Sequence, residues 1–458
     1  MIITPYGATD TVTGSRTLVE VGSGSVLVDC GLFQGMKAVR SRNWQAFPVP
    51  PASVSAVVLT HAHLDHSGYV PALVDGGFEG PVFCTSGTAA LLGLLWPDAA
   101  YLQEEDARYR NRHGTTRHAP ALPLFTAEQA KRALGKLRTV PFDTPFEPVR
   151  GLEARLSPVG HIVGAASLHL AHGPFSAFFS GDVGRSIDPV MRPPDPPPRA
   201  DVIVIESTYG DRLHGTAPPA DELGGIVCRT LGRGGTLLIP AFAVGRSQTL
   251  LHLLTELRRS GDIPRAPIFL NSPMAIRATR IFCEHWSDTR LTARQSEQLG
   301  EAVTFTSTVE ESKELNESRY PSIIISASGM ATGGRVLHHL KWMLPDHRNT
   351  VLFVGYQAAG TRGEAMLAGV REIKIHGSHH QVRAEVARID SLSAHADRDE
   401  LLAWLRRCPG PPKLTLVNHG ESHARDAMRQ SIEDSLGWRA ETAELGGSVD
   451  VERLVSGR

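Results

Sequence analysis

The sequence predicts an α/β protein in which one α/β domain is inserted into another. Three observations carry this. From residue 202 onward, short aliphatic and β-branched runs alternate with stretches of helical length, the pattern of a mostly parallel sheet. At the start of the chain, residues 4–28 alternate in polarity and turn on glycines, which suits short antiparallel strands. Histidines and carboxylates recur on loops near strand ends early in the chain and again after residue 383, so the two ends must meet in one domain. The expected division is 1–207 for the first part of the outer domain, 208–382 for the insert and 383–458 for the return segment.

Residues 4–28 turn on Gly7, Gly14, Gly22 and Gly24, and residues 25–28 form a strand that ends at Asp29-Cys30-Gly31. A buried strand at 54–60 runs into Thr60-His61-Ala62-His63-Leu64-Asp65-His66-Ser67, and a helix-like stretch follows at 69–74. That octet therefore sits on a loop at the carboxyl end of a strand, where α/β folds place chemistry. Residues 88–95 and 98–112 read as two helices. The second carries Arg108, Arg110 and Arg112, with Arg117 beyond, and reads as a solvated face, with nucleic-acid contact as the alternative. A further helix is expected at 126–137, with Glu128 and Gln129 in its first turn. Strands follow at 152–156, 167–170 and 175–179. Val159-Gly160-His161 lies after the first of them and Ser180-Gly181-Asp182 after the third. The segment 189–200 holds six prolines and reads as a linker. Beyond it, strands are expected at 202–205, 236–239, 268–270, 323–326 and 351–354, with helices such as 220–231 and 246–259 between them.

With 458 residues the chain has room for about two or three domains. Its formal net charge of −1 excludes nucleic-acid binding by bulk charge, so any such contact needs local patches. Five scattered cysteines without a C-x-x-C fit reduced thiols and a cytoplasmic location. The start lacks the basic and apolar pattern of a signal peptide, no apolar run is long enough for a membrane span, and no fixed-period repeat is present.

Twenty histidines are many for this length, and the excess is clustered. His61 and His63, two residues apart, can close on one ion, whereas Asp65 and His66 point elsewhere and can serve a second. Imidazole and carboxylate together suit zinc. The expected arrangement is two Zn2+ per chain, with His61, His63 and His161 on one ion, Asp65, His66 and His419 on the other, and Asp182 bridging with its two oxygens. Such a pair can hold a hydroxide and steady both charged oxygens of an in-line phosphoryl displacement. His395, in Ser393-Ala394-His395-Ala396-Asp397, is the expected general acid, and Glu206 would orient its ring and favour its protonated form. Asp29, at its strand end, is either a turn residue or a support for a ligand. Asp65, His395, Glu206 and Asp29 make up the expected catalytic set. Phosphate grips are expected in the insert at Ser328, Gly329 and Thr332 of Ser328-Gly329-Met330-Ala331-Thr332-Gly333-Gly334, at Arg362 of Ala359-Gly360-Thr361-Arg362-Gly363 and at Arg246 of Gly245-Arg246-Ser247. No nucleoside-triphosphate P-loop motif is present.

These motifs, in this order and over nearly the whole chain, resemble the β-CASP branch of the metallo-β-lactamase superfamily, and within it the nucleases related to the mRNA 3′-end processing endonuclease. Val12-Thr13-Gly14-Ser15 resembles the family's N-terminal turn, Asp29 its first motif, His61 through His66 the second, His161 the third and Asp182 the fourth. Glu206 matches the branch's acidic motif, His395 its middle histidine and His419, in Asn418-His419-Gly420-Glu421, its last. Pro240-Ala241-Phe242-Ala243-Val244-Gly245-Arg246 and Ser272-Pro273-Met274-Ala275 are also similar. The resemblance implies a four-layer αβ/βα sandwich with an inserted parallel β-CASP domain and a site in the cleft between them. It also implies hydrolysis of single-stranded RNA to 3′-hydroxyl and 5′-phosphate ends, from within or from an end. Glu206 and His419 favour RNA over DNA, because the DNA-repair members usually carry an aspartate and an aliphatic residue there. The absence of an extra domain at either end suggests a self-contained bacterial-type enzyme, with a homodimer left open. The alternatives are another hydrolase on the same core, acting on DNA or on small esters and lactams, or an RNA-binding metal protein without turnover.

Overall fold

Two seven-stranded sheets are built from both ends of the chain. In the first, the order is Val449–Asp450, Ile2–Pro5, Thr17–Val21, Gly24–Val28, Ala56–Val58, Val82–Cys84 and Leu137–Thr139. Its early strands are antiparallel, and pairing turns parallel from Gly24–Val28 onward. In the second, the order is Ala440–Thr442, Leu414–Val417, Val202–Ile205, Phe175–Phe179, Ala166–His172, Leu152–Pro158 and Phe146–Val149. The last four pair antiparallel and the others parallel. Leu152–Pro158 shows why: Leu152, Ala154 and Leu156 are buried while Glu153 and Arg155 are exposed, the two-residue period of a strand with one face in the core. Val26, Val28, Ala56 and Val58 of the first sheet and Leu156, Leu168, Ala177 and Val202 of the second share that core.

The computed structural model describes residues 1–457 apart from 117, 318, 319, 356, 358 and 359. Arg117 and Ala359, named above, lie outside the described residues. The chain divides into two compact units. One comprises Met1–Ser186, Arg192–Leu213 and His395–Arg458, the other Ile187–Met191 and His214–Ala394. The proline-rich segment 189–200 has neither helix nor named strand, and it returns to the first unit at Arg192; the chain enters the main part of the second unit only after Leu213.

The second unit contains an all-parallel six-stranded sheet, in the order Thr304–Phe305, Ile268–Leu270, Ile323–Ser326, Leu237–Pro240, Thr350–Val354 and Glu385–Ile389. Its strands are short runs such as Ile323-Ile324-Ile325, buried on both faces as parallel strands require. Glu385–Ile389, beyond the expected 382/383 boundary, is its edge strand. An antiparallel hairpin, Glu372–Ile375 with Ser378–Gln381, precedes it and was not expected from the sequence.

Three local expectations are corrected. The two helices expected on either side of Pro97 are one helix, Ser86–His113. Proline forgoes one backbone bond there, and burial of Leu91, Leu92, Leu95, Trp96, Ala99 and Ala100 compensates. The helix expected at 126–137 is Ala127–Leu134, capped reciprocally by Thr126 and Gln129; Leu137 begins a strand instead. The octet is not all loop, because Leu64–Ser67 forms a short helix. Among the described residues no helix is long and apolar enough to cross a membrane.

Candidate metal centre

Every residue expected at the centre lies in the first unit, and six of them stand within three residues of a strand's carboxyl end. Asp29 follows Gly24–Val28, His61 follows Ala56–Val58, His161 follows Leu152–Pro158, Asp182 follows Phe175–Phe179, Glu206 follows Val202–Ile205 and His419 follows Leu414–Val417. His395 lies just before the helix Arg398–Leu405, whose N-terminus is closed by a capping box of Asp397 and Glu400. The turn carrying Asp65 and His66 is held from outside: Ser15 N–H donates to Asp65 O at 2.8 Å, Cys30 N–H to His66 O at 2.7 Å and Leu32 N–H to Leu64 O at 2.8 Å. The approach needs a glycine at 31, where a Cβ would stand 1.6 Å from Asp65 O.

The imidazoles form two groups with one carboxylate between them. His63 Nδ1 lies 3.1 Å from both His61 Nε2 and His161 Nε2. His66 Nε2 and His419 Nε2 are 2.9 Å apart, and Asp65 Oδ2 is 3.8 Å from His419 Nε2. Asp182 faces both. Its Oδ2 is 3.4 Å from His61 Nε2 and 3.7 Å from His161 Nε2, while its Oδ1 is 3.2 Å from His66 Nε2 and 3.4 Å from His419 Nδ1. Donor atoms of His61, His63, His161 and Asp182 lie within 4.8 Å of one another, as do those of Asp65, His66 and His419.

Electrostatics suit cations here. Burial and the neighbouring imidazoles push His61, His63 and His161 toward the neutral form, His63 down to about 3, the form in which a ring nitrogen can ligate a cation. Burial alone would raise the two aspartates. The opposing imidazoles outweigh it and hold Asp182 and Asp65 below the usual carboxylate range. Burial likewise disfavours a charged His66, but the Asp182 and Asp29 carboxylates reverse this and raise it. Among the described residues, buried Asp182 Oδ1 has no hydrogen-bond donor of good geometry. A cavity of about 30 Å³ is lined by Asp29, Thr60, His66, Asp182, Glu206 and His419, room for an ion or a water and little more. The neutral imidazoles of His61, His63 and His161, the ionised carboxylates and a carboxylate oxygen without a donor among the described residues are a set zinc takes, and an ion at His66 would have to displace its proton.

Asp29, expected in the catalytic set, stands behind this group. Its backbone is left-handed, with φ at 59°. Its Oδ1 accepts from Thr60 N–H at 2.8 Å, and its Oδ2 lies 2.7 Å from His66 Nδ1, which leaves His66 Nε2 facing the centre. Thr60 was not singled out in the sequence, yet its hydroxyl lies 3.0 Å from Asp29 and 3.1 Å from His61 Nδ1. Its place beside His61 was the available signal. Arg16 was missed as well. Its buried guanidinium donates twice to Gly31 O, at 3.0 and 2.8 Å, and packs over Tyr69, Phe33 and Phe47. Those rings are too scattered in sequence to announce a site.

His395 and Glu206 pair as expected, with Nδ1 3.2 Å from Oε1. Glu206 is buried and also accepts from Val183 N–H at 2.6 Å and Thr208 N–H at 3.2 Å, which holds its carboxylate still. Burial pushes the His395 ring down, but Glu206, with Asp182 and Asp65 beyond, raises it to about 9. Its ring centroid is 4.5 Å from that of His161.

The expected phosphate grips lie in the second unit. Ser328 and Thr332 bond to each other at 3.1 Å, and Gly329 O accepts from Gln357 Nε2 at 3.2 Å. Arg362 donates to Lys374 O, Ala331 O and Thr332 O, so it braces the loop. Arg246 is buried, with Asp188 close enough to feel its charge.

Comparison with known proteins fits these observations. Residues 10–213 match the metallo-β-lactamase superfamily, 247–366 the Beta-Casp domain, and 379–443 the Zn-dependent metallo-hydrolase RNA specificity domain. Ribonuclease TTHA0252 of Thermus thermophilus is 36% identical over 98% of this chain and 100% of its own length. The chain belongs to the β-CASP ribonuclease family of the metallo-β-lactamase superfamily. The transcription termination factor FttA of Methanocaldococcus jannaschii is 31% identical over 92% of this β-CASP chain and 67% of its own length. A protein of unknown function from Enterococcus faecalis has the same fold, with a TM-score of 0.56 at 12% identity over 98% of this β-CASP chain and 99% of its own.

Proposed function

We propose that this β-CASP protein hydrolyses phosphodiester bonds of single-stranded RNA with two zinc ions per chain, leaving 3′-hydroxyl and 5′-phosphate ends. The carrying observation is Asp182, whose two oxygens face two separate groups of imidazoles. His61, His63 and His161 would hold one ion, Asp65, His66 and His419 the other, and Asp182 both. When bound, the ions supply Lewis acidity and a water made nucleophilic at neutral pH.

The chain's own residues do the rest. Asp29 and Thr60 fix the tautomer and direction of His66 and His61. Glu206 orients His395 and keeps it protonated, so that its Nε2 proton can pass to the departing 3′-oxygen. The match of residues 379–443 to an RNA specificity domain and the likeness to ribonuclease TTHA0252 support RNA over small esters and lactams.

The test is to incubate zinc-loaded protein with RNA and single-stranded DNA, each labelled at one end or the other. Cleavage of RNA to 5′-phosphate products is expected. A preparation that cuts only DNA, or that hydrolyses small esters while sparing RNA, overturns the reading.

A further inference from the structure

We propose that the outer face of the Val336–Met343 helix, in the second unit, is a contact surface for single-stranded RNA, with Trp342 stacking a base and Lys313, His338 and Lys341 meeting phosphates. This rests on the ribonuclease reading above and adds to it a place on the chain that none of the motifs marks.

The helix is two-faced. Val336, Leu337, His339, Leu340 and Met343 are buried. His338, Lys341 and Trp342 stand at i, i+3 and i+4 and so share the other face. His339 is fully buried and bonded to Asn271 and Asn316, a structural role, while its neighbour His338 is exposed. Trp342 is 63% exposed. A single exposed apolar residue needs no explanation, but this indole stands in a groove of about 370 Å³, the size range of ligand sites. Lys313 and Asn316 line one wall, and Arg335, His338, Lys341 and Trp342 the other. Glu317 is the single carboxylate among the described lining residues. Arg335 is committed to Asn271, Thr306 and Ser307, so it contributes field rather than a free hand.

Basic side chains are also found past the groove. His376, at the turn of the Glu372–Ile375 and Ser378–Gln381 hairpin, lies 4.8 Å from His338, ring centre to ring centre. Burial, with the nearby basic side chains His338, Lys341, Arg362 and His380, pushes His376 toward its neutral form, and Glu372 of the same hairpin lies 3.7 Å from His379. Among the described lining residues, Lys313, Arg335 and Lys341 thus set three cations against Glu317 around the exposed indole, in a chain of net charge −1. Single-stranded nucleic acid presents alternating phosphates and flat bases, and cations flanking an aromatic ring are what its binding sites use. A free phosphate would leave the indole idle.

The test is binding of fluorescein-labelled single-stranded RNA to the full-length, zinc-loaded protein carrying His395→Ala, which keeps the probe uncut. In that background Trp342→Ala is expected to weaken binding about tenfold, and Trp342→Phe to restore most of it. Lys313→Ala with Lys341→Ala is expected to reduce the slope of log affinity against log salt by about 1.4, or ~0.7 per lost phosphate contact. If the parent binds RNA and these variants match it in affinity and slope, the surface is overturned while the ribonuclease reading stands, and an acidic protein segment becomes the better occupant. If the parent fails to bind RNA at all, both fall together.

Discussion

Nδ1 of His395 lies 3.2 Å from Oε1 of Glu206, a buried carboxylate that two backbone N–H groups hold in place. Glu206 is thus placed to orient the His395 ring and to favour its protonated form. Removing the ring should cost the reaction its proton donor. His395→Ala is expected to lower kcat by about 10²- to 10⁴-fold, the usual span for a general acid, with zinc content unchanged. Single-turnover cleavage of labelled RNA beside metal analysis checks it, and a full rate would remove His395 from the role.

The same pair gives a pH prediction. The raised pKa of about 9 means that His395 carries its proton below that point and loses it as pH rises. The rate should therefore fall on the alkaline side, at or below about pH 9, since bound cations nearby push the ring lower. Glu206→Gln removes the largest raising influence while burial still lowers the ring. Its alkaline limb should move to lower pH by about one unit or more. A limb that stays in place shows that Glu206 does not set the proton's affinity.

Asp29 and Thr60 should matter through metal affinity rather than through the chemical step. Asp29→Asn and Thr60→Val each disturb the contacts behind His66 and His61. Losses of about 10- to 100-fold in zinc affinity are expected, as for other groups that support a ligating histidine. Excess zinc should restore kcat. A variant that binds zinc normally but stays slow would place the residue at the reacting atoms.

Gly31→Ala tests how the Asp65–His66 turn is held. The added methyl would stand 1.6 Å from Asp65 O, so the backbone must move. Destabilisation of about 1–3 kcal/mol or more is expected, together with loss of zinc from the site containing Asp65 and His66. Unfolding by denaturant with and without chelator measures both. A variant with unchanged stability would show that the loop shifts at no cost.

Much of the centre was legible because its donors carry their chemistry in their identity. His61, His63, Asp65 and His66 are adjacent in sequence, and His161, Asp182 and His419 each follow a strand. Their convergence was inferred from donor type, and the coordinates bring them within a few ångströms. What was not legible depends on the fold. Arg16 acts through a carbonyl and three rings contributed by residues 33, 47 and 69, and no local pattern joins them. Pro97 reads as a break because local propensity says so, whereas the burial that carries the helix through it is tertiary. His338 and His339 are identical neighbours in sequence. Only their faces on the helix separate a buried structural ring from an exposed one.

Asp182 is expected to join two ions. Native mass spectrometry of the active, zinc-loaded protein, beside its Asp182→Asn variant, tests it most directly. Two zinc ions per chain are expected in the parent, and one or none in the variant, with RNA cleavage lost in step. An active parent that holds a single ion, or a variant that keeps both ions and its rate, would contradict the account.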